Sequence, residues 1–388
     1  MTETASSAAA ALPPDHSRLK YVDYAKALTI FLVIVGHTND PYIPGKSWFY
    51  LDFCYAFHMP LFFMLSGFFL RARNNPGEVK LSDCLRKDFF ALIIPYFIWG
   101  CIYMQFSYRK WFQLAYGSWL NLRTIGTLTS LWFLPVLFLS KNYCNAIFIA
   151  GGKWKLRPEL LGWIALPLLF VIGFALPHNN ALDGNHIGNF WGFDIAFVAA
   201  GFVMAGAMLR PFFDRLAKGT LWTSLALSAV MTAVFWVSFN MERPLLTAGV
   251  DNTMAMCNAE YGLIGYCLVN AFSGSFALIS FCIVLEKLCP GNRTLLFIGA
   301  NTMGIYLIHK HIIYALKGLF QYYGTPPIAD LRMALVVAVP ALLFAMLIML
   351  FVMRYVPHLL GKRVPPEKRQ SIREMFNMAF SVEDSAKL

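Results

Sequence analysis

Charge is what this chain has least of. Asp, Glu, Lys and Arg together make 14% of its 388 residues, against about a quarter in soluble domains. The shortage comes with 58% hydrophobic residues, and apolar runs of spanning length recur from end to end. That combination excludes a soluble enzyme with a large core and points to a polytopic membrane protein. Cys-x-x-Cys pairs are missing as well. The eight cysteines are scattered, and Cys54, Cys101, Cys144, Cys267 and Cys282 fall inside apolar runs. They read as small core residues, neither a disulfide framework nor a metal site. The N-terminal "MTETASSAAAALPPDHS" is not expected to be a signal peptide, having an early Glu, no basic start and no long apolar core.

What is present is helix. Candidate spans lie near 24–40, 48–70, 89–107, 131–150, 160–177, 190–209, 221–239, 261–286, 295–318 and 332–354. The expected fold is an all-α integral membrane bundle of about ten transmembrane helices. Residues 1–19 read as a flexible tail, 20–356 as the membrane domain and 357–388 as a basic tail. In that tail Ile372, Met375 and Phe376 would share one face of a surface helix. Ten spans put both termini on one side. If that side is the cytoplasm, inner segments hold 22 Lys and Arg and outer segments 7, with Lys26, Lys141 and Lys310 inside spans. The positive-inside rule then gives an N-in, C-in topology. The net charge of +11 holds that topology and meets anionic lipid. It is spread over many short loops, so no nucleic-acid partner is expected.

Ionisable groups inside spans are costly and usually functional. His37, His58, His309, His311, Asp194 and Glu260 all fall in outer halves or borders of spans on this topology. Together they suggest one polar cavity opening outward. The bland alternatives are helix-to-helix hydrogen bonds for the imidazoles and an interfacial cap for Glu260. Lys26 and His37 bracket ten residues, "ALTIFLVIVG", whose only side-chain polar group is Thr29. Eleven helical steps turn about 1100°, three turns plus about 20°, and rise about 16.5 Å. Lys26 and His37 therefore share a face. Asp23, one turn before Lys26, lies on the same stripe and can pair with it. Lys26 alone could snorkel to the inner headgroups, which leaves His37 unexplained. Pro60 should kink span 2, Ser66 and Gly67 suit close helix packing, and Trp132 and Trp191 suit either the interface or a sugar ring.

These residues resemble the membrane acyltransferase-3 family. Lys26-x10-His37 in "YVDYAKALTIFLVIVGH" is similar to the family's Arg/Lys-x10-His. "FHMPLFFMLSGFFL", holding Phe57, His58, Met59, Pro60, Leu61, Phe62, Phe63, Ser66 and Gly67, resembles its second signature. "LWFLPVLF" at 131–138 and "MGIYLIH" at 303–309 resemble the branch related to sugar O-acetyltransferases. Many members have Arg where this chain has Lys26, which keeps the charge but loses the bidentate fork. The resemblance implies transfer of an acyl group, usually acetyl, from cytoplasmic acyl-CoA to a carbohydrate hydroxyl outside the membrane. No permanently bound cofactor is implied; acyl-CoA is a co-substrate. The implied setting is a bacterial cytoplasmic membrane.

On that reading Lys26, oriented by Asp23, holds donor phosphates at the inner mouth. Arg71, Arg73, Arg86 and Lys87 could add charge there. His37 acts as general base or as acyl relay. His58 orients the acceptor or His37, and His309, Trp132 and Asp194 are acceptor-side candidates. The competing class is a transporter or flippase for a polar solute or lipid-linked sugar, with His, Lys and Asp as its path. A third is an inactive scaffold of an envelope assembly.

Overall fold

The computed structural model describes residues 19–38, 49–103, 108–117, 130–177, 189–242, 254–324, 328, 330–361 and 369–380. Among them the only β-pairing is an isolated antiparallel bridge between Ala255 and Glu260. Seven helical segments are long and apolar enough to cross a membrane: Phe49–Gly67, Ser130–Lys153, Pro158–Ala175, Phe190–Lys218, Leu221–Glu242, Ile264–Leu288 and Leu331–Tyr355. Each coincides with one of the ten expected segments. The other three take different forms. Segment 24–40 is the helix Lys20–Gly36, 17 residues long. Segment 89–107 starts earlier, at Leu81–Asp88, and runs through a π turn, Phe89–Ile93, into Ile94–Tyr103; its residues 104–107 lie outside the described ones. Segment 295–318 is broken at Asn301 into Arg293–Ala300 and Thr302–Tyr322. The chain is an all-α, multi-pass membrane protein.

Small side chains decide which helices are central. Phe193–Lys218 carries Ala199, Ala200, Gly201, Ala205, Gly206 and Ala207, and packs against Pro158–Ala175, Phe133–Lys153 and His58–Gly67. At its crossing with His58–Gly67 the two backbones touch. A Cβ on Gly67 would lie 1.9 Å from the Val203 carbonyl oxygen, and one on Gly206 1.8 Å from that of Met64. In lipid, where burying apolar surface offers no drive between helices, such close approach supplies the packing energy. Gly67→Ala is therefore expected to force the helices apart and cost about 1–3 kcal/mol, read as a lowered unfolding temperature in detergent; an unchanged temperature would refute the contact. By contrast, Pro158–Ala175 and Leu221–Glu242 turn large apolar side chains outward, among them Leu160, Trp163, Val171, Trp222 and Val237.

The Lys20–Gly36 helix is apolar all round apart from its few polar positions, as a helix sheathed by protein must be. Arg293–Ala300, Ile264–Leu288, Leu331–Tyr355, His58–Gly67, Phe49–Tyr55 and Thr302–Tyr322 all pack on it. Its cytoplasm-proximal turn, on the expected topology, is gripped at Gly299, where a Cβ would lie 2.1 Å from the Asp23 carbonyl oxygen. Two residues later the chain breaks. There Asn301 Nδ2 joins the Asn301 N–H in donating to Phe297 O, at 2.9 and 3.1 Å, and Thr302 Oγ1 donates to Gly299 O at 2.8 Å, so polar side chains reinforce the last turn before the break.

Two further features settle points left by the hydropathy pattern. Lys141, inside a span, forms an ion pair with Asp88 at 2.5 Å, and Asn142 Nδ2 lies 3.5 Å from the other Asp88 oxygen. The basic tail contains the helix Ile372–Phe380. Ser371 and Glu374 exchange side-chain-to-backbone hydrogen bonds at its start, a capping box. Met375 and Ala379 are buried, while Ile372 and Phe376 are exposed, so the face seated on the bundle is not the whole apolar stripe.

Candidate functional site

The Lys20–Gly36 helix ends inside the protein with its last carbonyls accounted for. His37 N donates to Val33 O and Ile34 O, Thr38 N and Thr38 Oγ1 both donate to Val35 O, and Tyr55 Oη donates to Gly36 O at 2.9 Å. A buried helix end without such partners would be costly. This closure fixes the backbone of His37, which stands one residue past the helix with φ −95° and ψ 1°.

Three imidazoles gather around that end. His309, fully buried, has its Nε2 2.9 Å from His37 Nδ1 and its Nδ1 2.5 Å from the Tyr306 carbonyl oxygen. The two rings lie 4.9 Å apart, tilted by 39°. His58 is close enough for its charge to act on His37, as is Lys310. His58 opens the helix His58–Gly67 after a break at Ala56 and Phe57. Its Nδ1 lies 2.5 Å from Cys54 O, in the last turn before the break. Pro60 sits in the first turn of the new helix, where its missing N–H costs nothing.

Aromatic contacts draw the other sequence motifs to the same place. Phe133 meets Phe63 at 5.0 Å and Tyr306 at 5.4 Å between ring centroids. Tyr306 Oη donates to Ser130 O. Stretches around 26–37, 57–70, 131–138 and 303–309 thus adjoin one another, although residues 38–302 lie between the outermost two.

The opposite end of the first helix is cationic. Lys26 is half-buried, with Nζ 4.9 Å from the centroid of the exposed Phe69 ring. Arg210 lies 5.8 Å from the same ring, donates from Nη1 to Phe68 O at 2.7 Å and pairs with Asp214 at 3.4 Å. Tyr21 Oη donates to the other Asp214 oxygen. Arg73, on the short helix Arg71–Asn74, feels the Arg210 and Asp214 charges, and burial pulls its pKa down. Asp23 is buried. Arg210 and Phe69 were missed in the sequence, where Arg210 counted only as an inner-loop charge.

The remaining candidates are placed as follows. Trp132 is buried just before the helix Phe133–Lys153, two residues from the Ser130 carbonyl that Tyr306 uses. Asp194 is buried in the first turn of Phe193–Lys218, where its charge acts on Tyr143 and Tyr261. Glu260 holds a loop: its backbone bridges to Ala255 and its side chain accepts from Asn258 Nδ2. Trp191 donates its indole N–H to Ala115 O at 2.9 Å. In the same loop as Glu260, Cys257 lies within reach of the Lys310 charge; burial, with a contribution from Glu260, pushes its thiol up to about 12. A thiol so poorly ionised is a weak nucleophile at neutral pH. Among the described residues no group of three or more His, Cys, Asp or Glu is placed to hold a metal ion.

The arrangement therefore offers cations at one end, an imidazole cluster at the other, and one helix joining them. No curated protein matches the chain. The family model described as an acyltransferase domain matches residues 19–354, a stretch holding all four motifs, and the chain belongs to the acyltransferase-3 family.

Proposed function

We propose that this membrane acyltransferase moves an acetyl group from cytoplasmic acyl-CoA to a hydroxyl of a carbohydrate on the outer side of a bacterial cytoplasmic membrane, as sugar O-acetyltransferases do. The N-in, C-in topology inferred from charge puts Lys26 at the donor face. The observation that carries the reading is the first helix itself: Lys26 at one end, and His37 at the other in contact with the buried imidazole of His309. Neutral imidazole near physiological pH suits a general base. His37 takes the proton of the acceptor hydroxyl as its oxygen bonds to the thioester carbon. The carbon–sulfur bond breaks, and the proton passes from His37 to the leaving sulfur, giving an ester and a free thiol. His58 orients the hydroxyl, and Lys26 holds donor phosphate.

The test supplies labelled acetyl-CoA to membranes and follows label into carbohydrate. Label held on the protein without acceptor would instead indicate an acyl relay at His37. Solute uptake with no acylated product would indicate a transporter. Losing a charged hydrogen bond costs about 1.5–3 kcal/mol, so Lys26→Ala is expected to raise the KM for acetyl-CoA about 10- to 100-fold with Lys26→Arg near wild type. An unaltered donor KM would remove Lys26 from the donor site.

A further inference from the structure

Two contacts at the imidazole pair determine where its protons sit. A carbonyl oxygen only accepts, so the 2.5 Å contact of His309 Nδ1 with Tyr306 O requires a hydrogen on His309 Nδ1. A neutral imidazole carries one N–H, which leaves His309 Nε2 with its lone pair. That atom lies 2.9 Å from His37 Nδ1, and two lone pairs do not bond, so the hydrogen is on His37 Nδ1. His37 Nε2 is then the unprotonated atom. Both rings must be neutral for this to hold. Among the described residues neither has a carboxylate partner, and Lys310 follows His309 in the chain with its charge acting on both. An imidazolium added there, beside the Lys310 charge and with no carboxylate contact among the described residues, would be costly.

We infer that His309 is a positioning residue: its Nε2 accepts from His37 Nδ1–H, and this holds His37 in the tautomer whose Nε2 is the base. The inference rests on His37 being the base and goes further by naming the atom and what holds it. It also separates the two imidazoles. Both ring nitrogens of His309 are occupied by hydrogen bonds, so His309 does not take the acceptor's proton. During transfer the hydroxyl proton moves to His37 Nε2 and on to sulfur, while Nδ1–H stays in place throughout. When His37 becomes imidazolium, its bond to His309 becomes charge-assisted and shorter. An oriented ring in one tautomer is what a base needs, and here a second imidazole provides it, itself anchored one helical turn back at Tyr306.

The experiment compares His309→Leu with His309→Gln in membranes, using labelled acetyl-CoA. Leu fills the space without an acceptor, whereas Gln offers a carbonyl oxygen at similar reach. His309→Leu is expected to lower kcat about 10- to 100-fold with the KM for acetyl-CoA within about two-fold, since the donor's phosphates are held elsewhere. His309→Gln is expected to recover most of the loss. Equal rates for the two variants, or an effect confined to KM, would overturn the assignment. The second measurement needs no turnover: ¹⁵N spectra of histidine-labelled wild-type protein in lipid discs. The His37 ring, identified by its loss in His37→Gln, should show a protonated Nδ1 and a bare Nε2. A protonated Nε2 would overturn the inference even if His309→Leu failed to fold. If instead His37→Ala still transfers label while the Nδ1–H tautomer is seen, the proton arrangement stands and the base assignment falls.

Discussion

His37→Ala is expected to lower transfer of labelled acetyl to carbohydrate by about 10²- to 10⁴-fold in kcat, the contribution of a positioned general base. In free energy this is about 3–5 kcal/mol of transition-state stabilisation. The variant should still accumulate. His37 lies outside the helix proper, and the helix end is also closed by Thr38 and Tyr55. The stability cost comes mainly from leaving the fully buried His309 without its partner, about 1–3 kcal/mol. The comparison must therefore be made per folded protein, with the unfolding temperature measured beside the rate. Transfer by His37→Ala at the wild-type rate would end the catalytic assignment. Loss of transfer together with loss of folded protein would call for His37→Gln, which keeps a polar group near His309.

Asp88→Ala should have the largest effect on folding. Its carboxylate is buried and meets Lys141 at 2.5 Å, while the Lys141 side chain keeps 21% exposure. Removing one partner of a buried pair costs about 3–5 kcal/mol, because the other charge is left uncompensated. The partial access of Lys141 to solvent puts the expected loss near the low end, about 3 kcal/mol. The double variant Asp88→Leu with Lys141→Met should recover much of it, since matched apolar groups replace a buried pair at little cost. Thermal unfolding in one detergent measures all three proteins. A single variant as stable as wild type would show that the pair is solvated and carries little.

These expectations depend on contacts that no local pattern reveals. Hydropathy located the long lipid-facing helices, because a run such as Leu331–Tyr355 must be apolar over its whole length. Helical periodicity placed Lys26 and His37 on one stripe, and the helix runs unbroken from Lys20 to Gly36. Two breaks were harder to see. Ala56–Phe57 and Asn301 lie within apolar runs, and what stabilises each is a side chain returning to a carbonyl, His58 to Cys54 O and Asn301 to Phe297 O. Only Pro60 signalled the first. The partners of buried charges were hidden for another reason. Asp88 stood in a charged loop sequence, 53 residues from Lys141, and His37 and His309 are 272 apart. Arg210 looked like any inner-loop cation until Phe69 was placed beside it and Lys26.

The break at Asn301 has a mechanical consequence. One arm of that broken segment, through Gly299, presses on the first helix at Asp23; the other, through His309, holds the ring at its far end. The two arms act as the jaws of a caliper closed on the helix that bears both Lys26 and His37. The interval between Lys26 and His37 is thus gauged by a second piece of chain, one that bends at a single asparagine.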